Sequence, residues 1–220
     1  MSLRKVTEIA RGEIGTTENP AGSNRVKYWD DYGDATHCYQ GLPWCCSFLW
    51  WVFQHAGECM AFFGGGKTAS CSILLRWYKE RGLTVDKTDV QKGDIVLLNF
   101  NGKGTPDHCG LVTNVLTYFG LEVFTIEGNT SPSDGSQSNG GMVCEKQRSS
   151  SQIVAVCRPQ YQPEDPNPVD DITGHWAEES IRWCIEHGLM KGYPDGSFQP
   201  DKGVTRAELA TIIRRLEESK

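Results

Sequence analysis

One stretch decides the fold of this chain: Pro43-Trp44-Cys45-Cys46-Ser47-Phe48-Leu49-Trp50-Trp51-Val52-Phe53. The proline predicts a turn, and the apolar run after it predicts a buried helix. Cys45 is therefore expected on the first turn of that helix. The unpaired N–H groups and partial positive charge of a helix N-terminus stabilise a thiolate. The position predicts an ionised, nucleophilic cysteine.

A nucleophilic thiol needs a base and a third group that orients the base. His108 is the candidate base, because it stands at the head of a predicted strand about sixty residues after Cys45. Glu127 and Asn129, at the end of the next predicted strand, are candidates to accept a hydrogen bond from Nδ1 of His108. The sequence leaves open which of the two does so.

The remaining pattern predicts an α+β fold in which helices come first and an antiparallel sheet follows. A proline-rich linker at 161–169 separates a domain at 1–160 from a small helical module at 170–220. The predicted helices of the first domain include 3–13, 45–56 and 71–81, and the predicted strands are 94–100, 109–116, 121–127, 142–147 and 153–158.

Charge and composition exclude several classes of protein. The net charge of the 220 residues is -6, and neither domain is basic, which argues against a nucleic-acid partner. No apolar run is long enough for a membrane span, and the start of the chain lacks an apolar signal segment, so synthesis in the cytoplasm is expected. Nine cysteines occur without a C-x-x-C pair or zinc-site spacing. We therefore expect no metal and no cofactor.

Several motifs of the first domain resemble the CHAP family of peptidoglycan hydrolases, relatives of NlpC/P60 peptidases, in the form found in phage endolysins. The resemblance covers residues 3–160 in the family's order. Its motifs are Gly41-Leu42-Pro43-Trp44-Cys45, Gly93-Asp94-Ile95-Val96, His108-Cys109-Gly110-Leu111-Val112 and Glu127-Gly128-Asn129-Thr130.

The resemblance implies a papain-like core and a catalytic site of Cys45, His108 and Glu127 or Asn129. It implies cleavage of peptidoglycan at the N-acetylmuramoyl–L-alanine amide or within the stem or cross-bridge peptide. Trp44 and Tyr28 are expected to contact the substrate. Calcium loops of some relatives are not expected, because no Asp-x-Asp cluster is present.

The C-terminal module contains one repeat that resembles an S-layer homology motif. The resemblance rests on His175-Trp176-Ala177, on the segment 192–200 and on Val204-Thr205-Arg206-Ala207-Glu208. Thr205 and Glu208 have the spacing of a capping box, which would place Arg206 on the first turn of a helix. The family implies that Arg206, with Trp176 and Asp171 as weaker candidates, contacts anionic secondary wall polysaccharide.

Two hypotheses follow for the whole chain. The leading one is an endolysin, made in the host cytoplasm and acting on the bacterial wall as a cysteine amidase or endopeptidase. The alternative is a non-catalytic wall-binding protein that keeps the fold. Because such motifs usually occur in threes, we also expect the single motif to form a homotrimer between chains.

Overall fold

The computed structural model describes residues 2–33, 39–117, 120–133, 135–161, 170–193 and 197–218. The chain divides into two units, Ser2–Gln162 and Pro163–Lys220. Nearly all of the predicted linker at 161–169 lies outside the described residues. Among the described residues, no helix combines the length and the apolar character that a membrane crossing demands.

Five helices of the larger unit come before its main strands. Helix α3 is almost entirely buried because it is apolar on every side, and it ends at Gly57, whose φ of 79° closes the helix in a left-handed turn. The bounds are α1 Ser2–Gly12, α2 Lys27–Tyr32, α3 Cys45–Ala56, α4 Cys59–Phe63 and α5 Cys71–Glu80.

The strands form one six-stranded sheet in which every neighbouring pair is antiparallel. The order across the sheet is β1-β6-β2-β3-β4-β5. The mixed helix and antiparallel-sheet class predicted from the sequence is confirmed. The bounds are β1 Thr84–Val85, β2 Ile95–Leu98, β3 His108–Leu116, β4 Glu122–Thr130, β5 Met142–Ser149 and β6 Ile153–Cys157.

Apolar side chains cover both faces of the central strand β2. Ile95 and Leu97 belong to the large cluster that includes the helices, whereas Val96 and Leu98 belong to a second cluster made largely by the strands. This division follows from the alternation of side chains along a strand. The sheet is therefore held between two apolar layers, and polar groups inside it need partners.

The smaller unit contains helices α6, Glu178–Glu186, and α7, Arg206–Glu218. Ile172, Ile181 and Phe198 form its small apolar cluster. The predicted capping box is present at the start of α7. The hydroxyl of Thr205 accepts a hydrogen bond from the backbone N–H of Glu208 at 3.2 Å, and Oε2 of Glu208 accepts one from the backbone N–H of Thr205 at 2.8 Å.

Candidate active site

Cys45 is the first residue of α3, as the sequence predicts. The residue before it is held by a buried carboxylate that the sequence analysis did not select. Oε1 of Glu18 accepts a hydrogen bond from Nε1 of Trp44 at 2.8 Å, and Oε2 accepts one from the backbone N–H of Asn24 at 2.9 Å. Glu18 thus fixes the turn that delivers Cys45 to the helix start.

His108 is the first residue of β3 and is fully buried. Its Nε2 lies 3.0 Å from Oε2 of Glu127. Nδ1 makes no hydrogen bond to any of the described residues. The sequence predicts a hydrogen bond at Nδ1 of His108, whereas Glu127 binds Nε2. Nδ1 therefore remains available for the thiol of Cys45.

Arg148 on β5 extends this chain of contacts and was missed from the sequence. Its Nε donates to Oε1 of Glu127 at 2.8 Å, and its Nη2 donates to Oε2 at 2.5 Å. Thr125 donates its hydroxyl to Oε1 at 2.6 Å. The one available signal was the alternation along β5, which turns Arg148 inward, where an arginine is rarely left unpaired.

The pKa values of these groups follow from their contacts. Burial alone would raise the pKa of Glu127, but hydrogen bonds from Arg148 and His108 hold it at about 2. Burial alone would lower the pKa of His108, but the neighbouring side chains of Cys45 and Glu127 raise it to about 10. Hydrogen bonds from Cys109, then from Cys46 and Cys71, hold the pKa of Cys45 well below its usual range, and His108 contributes to the same shift. Together these shifts favour a thiolate beside an imidazolium at neutral pH.

Asn129 has a different role from the one considered for it. Its φ of 59° is left-handed, and β4 shifts register between Glu127 and Thr130. Its Nδ2 donates to Oδ1 of Asn139 at 3.0 Å, and its Oδ1 accepts from the backbone N–H of Gly141 at 3.3 Å. The side chain therefore holds the loop before β5, and the contact with His108 falls to Glu127.

Two glycines allow the elements around the site to pack closely against one another. A Cβ on Gly110 would lie 2.7 Å from Cγ of Glu127, and a Cβ on Gly128 would lie 2.6 Å from Cβ of Phe48. Real Cβ atoms do not approach other atoms so closely. Gly110 makes room for the Glu127 side chain, and Gly128 lets β4 approach α3.

Trp44 and Tyr28, expected to contact substrate, are both fully buried. Nε1 of Trp44 donates to Glu18, and the hydroxyl of Tyr28 donates to Oε2 of Glu13 at 2.6 Å. Their rings pack at a centroid distance of 5.4 Å. Both side chains are large and apolar next to α3, so the structure uses them for packing and leaves no surface for a substrate.

The nucleophile and base are themselves deeply placed. Cys45 keeps 4 % of its surface exposed and His108 keeps none. A substrate carbonyl can therefore reach the sulfur of Cys45 only through this small exposed area, or after neighbouring residues move.

Cys45 also belongs to a group of four buried cysteines that the sequence analysis did not foresee. The Sγ atoms of Cys45, Cys46, Cys71 and Cys109 all lie within 4.8 Å of one another. These residues come from α3, α5 and β3, so no short sequence spacing links them. The tertiary fold creates the group.

The three candidates for wall binding are all exposed. Arg206 is exposed at the start of α7, and Trp176 is 90 % exposed. The carboxylate of Asp171 also accepts hydrogen bonds from the backbone N–H groups of Phe198 at 2.8 Å and Gln199 at 2.6 Å. Asp171 therefore holds its own loop, and its contact with a polymer stays a prediction.

Comparison with known domain families agrees with this geometry. Residues 37–129, which include Cys45, His108 and Glu127, match the CHAP domain model. This match covers less than half of the chain. Residues 170–210, which include Arg206, match the S-layer homology domain model.

Curated relatives match short segments. The chain is 44 % identical over 54 residues to Cell surface glycoprotein 1 of Acetivibrio thermocellus, covering 24 % of this chain and 2 % of the relative. It is 50 % identical over 44 residues to the Cellulosome-anchoring protein of the same organism, covering 20 % and 10 %. It is 41 % identical over 58 residues to Outer membrane protein SlpA of Deinococcus radiodurans, covering 26 % and 5 %. The chain thus spans at most a tenth of these relatives.

Among solved structures, the crystal structure of Ly7917 aligns with a TM-score of 0.43 and 17 % identity. The alignment covers 72 % of this chain and 62 % of that one.

Proposed function

We propose that the CHAP domain is a cysteine-dependent hydrolase that cleaves an amide bond of peptidoglycan. The observation that carries the proposal is the buried relay Arg148–Glu127–His108 beside Cys45 at the start of α3. Each member supports the next: the guanidinium holds the carboxylate, the carboxylate holds the imidazole, and the imidazole faces the thiol. The papain-like core expected from the sequence is part of this proposal.

The proposed reaction has two steps. In the first, the thiolate of Cys45 attacks the amide carbonyl carbon, and backbone N–H groups at the start of α3 stabilise the oxyanion. The C–N bond then breaks as His108 gives its proton to the leaving amine. In the second, His108 takes a proton from water, the hydroxide attacks the thioester, and the Cys45 thiolate leaves.

Two kinds of amide bond in peptidoglycan could be cleaved by this reaction. One is the N-acetylmuramoyl–L-alanine amide, and the other is a peptide bond of the stem or cross-bridge. Mass spectrometry of fragments released from purified sacculi distinguishes them. A new free amine on the stem alanine indicates an amidase, and a new terminus within the peptide indicates an endopeptidase.

Clearing of purified cell walls by the full chain tests the proposal. We expect Cys45→Ala to abolish clearing and Cys59→Ala to leave it unchanged, because Cys59 lies on α4, outside the relay. Equal clearing by both variants would refute the cysteine mechanism.

A second candidate function is wall binding without catalysis. The burial of Cys45 and His108 favours it, because a polymer needs more access than 4 % of one side chain gives. This candidate predicts that the unmodified chain sediments with walls but never clears them, with or without added reductant.

We also propose that the C-terminal module binds anionic wall polysaccharide through Arg206, with Trp176 in the same unit as a second candidate contact. Support comes from the exposure of both side chains and from the ability of arginine to form paired hydrogen bonds with anionic groups. Arg206→Ala should reduce co-sedimentation with walls, whereas Arg214→Ala on the same helix should not. Equal binding by the two variants would remove Arg206 from the site.

The homotrimer proposed for this module is supported by α7, which exposes Leu209 and Ile213 four residues apart, on one side of the helix. These apolar side chains need covering by another surface. Sedimentation of the full chain at micromolar concentration should give the mass of three chains. A monomer at that concentration contradicts the trimer.

Finally, we propose an endolysin role, in which the protein accumulates in the host cytoplasm and reaches the wall when the membrane is permeabilised. Its support is the pairing of a hydrolase-type domain with a wall-binding domain. Host cells that express the chain should lyse only on co-expression of a membrane-permeabilising protein. Survival of those co-expressing cells would contradict the role.

A further inference from the structure

The four cysteines around Cys45 form a site that the hydrolase reaction does not need. Three pairs of Sγ atoms lie in contact, at 3.4 Å for Cys46 and Cys71, 3.5 Å for Cys46 and Cys109, and 3.8 Å for Cys45 and Cys71. Cys46 and Cys109 are fully buried, and Cys71 nearly so. Attack on an amide uses one sulfur, so three thiols remain to be explained.

These distances match those of a metal centre. Four thiolates around a tetrahedral zinc ion, with bonds of about 2.3 Å, place their sulfur atoms roughly 3.8 Å apart. These three pairs lie within 0.4 Å of that spacing, and the largest separation within the group is at most 4.8 Å. Small changes of side-chain torsion angle would bring all four sulfurs to one ion.

The chemistry of the donors selects the kind of cation. Every donor in the group is a thiol, and thiolates favour zinc and other soft ions over calcium and magnesium, which require oxygen. A zinc ion with four thiolates carries a net charge of -2. The positive N-terminus of α3 and the imidazole of His108 lie at the same place and offset that charge.

We propose that Cys45, Cys46, Cys71 and Cys109 form a tetrathiolate zinc site, and that zinc binding there occupies the nucleophile. Zinc replaces the protons of those thiols that are not already ionised, and these protons pass to solvent. The sulfur of Cys45 then donates its electron pair to the metal and cannot attack a carbonyl. Zinc occupation and wall hydrolysis exclude each other, and this second part rests on the proposed function.

The burial of the group suits a small ion. A hydrated cation needs far less space than a glycan strand, so it can reach Cys45 through an opening that a polymer cannot use. The same burial keeps competing water ligands away from the bound ion. An exposed cysteine pair would bind zinc without this protection.

Direct binding to the full chain tests the site. The reduced, metal-free protein is titrated with Zn²⁺ against a chromophoric chelator, and separately with Co²⁺, whose absorption reports sulfur ligation and tetrahedral geometry. We expect one Zn²⁺ per chain and the intense sulfur-to-cobalt charge-transfer band of a four-thiolate site. A chain that binds less than one Zn²⁺, or a cobalt spectrum without that band, overturns the proposal. Both measurements use the unmodified protein, so they hold even where a variant folds poorly.

Cysteine variants locate the ion. Cys71→Ser and Cys109→Ser should each weaken zinc binding by at least about tenfold, since each removes a direct ligand. Cys59→Ser serves as the matched control, because Cys59 is a free cysteine outside the group. Equal affinity in all three variants would overturn the assignment.

Wall clearing separates this proposal from the proposed function. If both are right, Zn²⁺ stops clearing at one equivalent and a chelator restores it. If the chain binds one Zn²⁺ at the four thiols but never clears walls, the proposed metal site stands and the proposed hydrolase function is refuted. If the chain clears walls and binds no Zn²⁺, the proposed hydrolase function stands and the proposed metal site is refuted.

Discussion

Arg148 holds Glu127 with two parallel hydrogen bonds, Nε to Oε1 at 2.8 Å and Nη2 to Oε2 at 2.5 Å, and both side chains are buried. This pairing occupies both carboxylate oxygens, and Oε2 also faces the ring of His108. The ring is therefore positioned by a carboxylate that is itself fixed. A guanidinium two contacts away from the imidazole therefore determines where the base lies.

Removing this arginine should destabilise the fold strongly. Arg148→Met keeps much of the side-chain volume but takes the guanidinium and its two hydrogen bonds away from a buried carboxylate, which costs about 3–5 kcal/mol of unfolding free energy. Urea unfolding followed by circular dichroism measures the loss. Arg11→Met is the control, because Arg11 and Glu145 form a half-exposed pair at 3.6 Å that is worth less than about 1 kcal/mol. Similar losses in both variants would show that the buried pair has no special importance.

The stability of the protein should fall in acid because of Glu127. The pKa of this carboxyl is about 2 in the folded chain against an ordinary value of 4.5, so the unfolded chain takes up the proton first as the pH falls. The stability that Glu127 contributes to the folded state is fully present above the ordinary pKa of 4.5, and it is lost as the pH falls towards 2.

Urea unfolding at about pH 5.5 and about pH 3.5 measures this dependence. Glu127→Gln should be less stable at the higher pH and should change less between the two. A variant that loses stability as steeply as the unmodified chain would show that other carboxyls cause the acid dependence.

Gly110→Ala should impair hydrolysis by moving Glu127. The new Cβ would lie 2.7 Å from Cγ and 3.2 Å from Oε1 of Glu127, so the carboxylate must shift away from the ring of His108. We expect the rate of wall clearing to fall by about tenfold to a hundredfold, as for other small displacements of a catalytic group. The alkaline limit of activity should also move to lower pH, because Glu127 helps to keep the pKa of His108 high.

Gly12→Ala is the matched control for this substitution. No atom lies within 4 Å of a Cβ at Gly12, the last residue of α1, and its φ is not left-handed. Unchanged rates and pH limits in both alanine variants would contradict the positioning role of Gly110.

Glu18→Ala should loosen the turn before Cys45. It leaves the buried Nε1 of Trp44 and the backbone N–H of Asn24 without their acceptor, which costs about 1–3 kcal/mol for a buried polar group. Urea unfolding gives the loss, and wall clearing should decrease with it. Glu80→Ala removes a carboxylate of an exposed helical pair and should change neither measurement. A stable Glu18→Ala variant would contradict the role of Glu18.

Local sequence signals predicted the elements that local interactions can form. The start of α3 at Cys45, the ends of α3 and α5 and the capping box of Thr205 and Glu208 depend on neighbours in the chain. Helix α4 and strand β1 were missed, because five and two residues are too short to show a period. The three helices and five strands predicted for the first domain appear where their hydrophobic patterns place them.

Contacts between distant segments of the chain could be identified only from the tertiary structure. Sequence reasoning narrowed the partner of His108 to Glu127 or Asn129, but only the bulge of β4 and the left-handed φ of Asn129 decide that Glu127 meets the ring. The ring nitrogen involved, Nε2, depends in the same way on how β3 lies against β4.

The amino-acid sequence by itself determined where the elements lie and put a thiol at a helix start, since hydrophobic periodicity and turn residues act over a few positions. Only the tertiary structure decided that Arg148 clamps Glu127 and that four cysteines from three elements converge. Such contacts depend on strand register and helix packing, and both are fixed by burial of the whole apolar core.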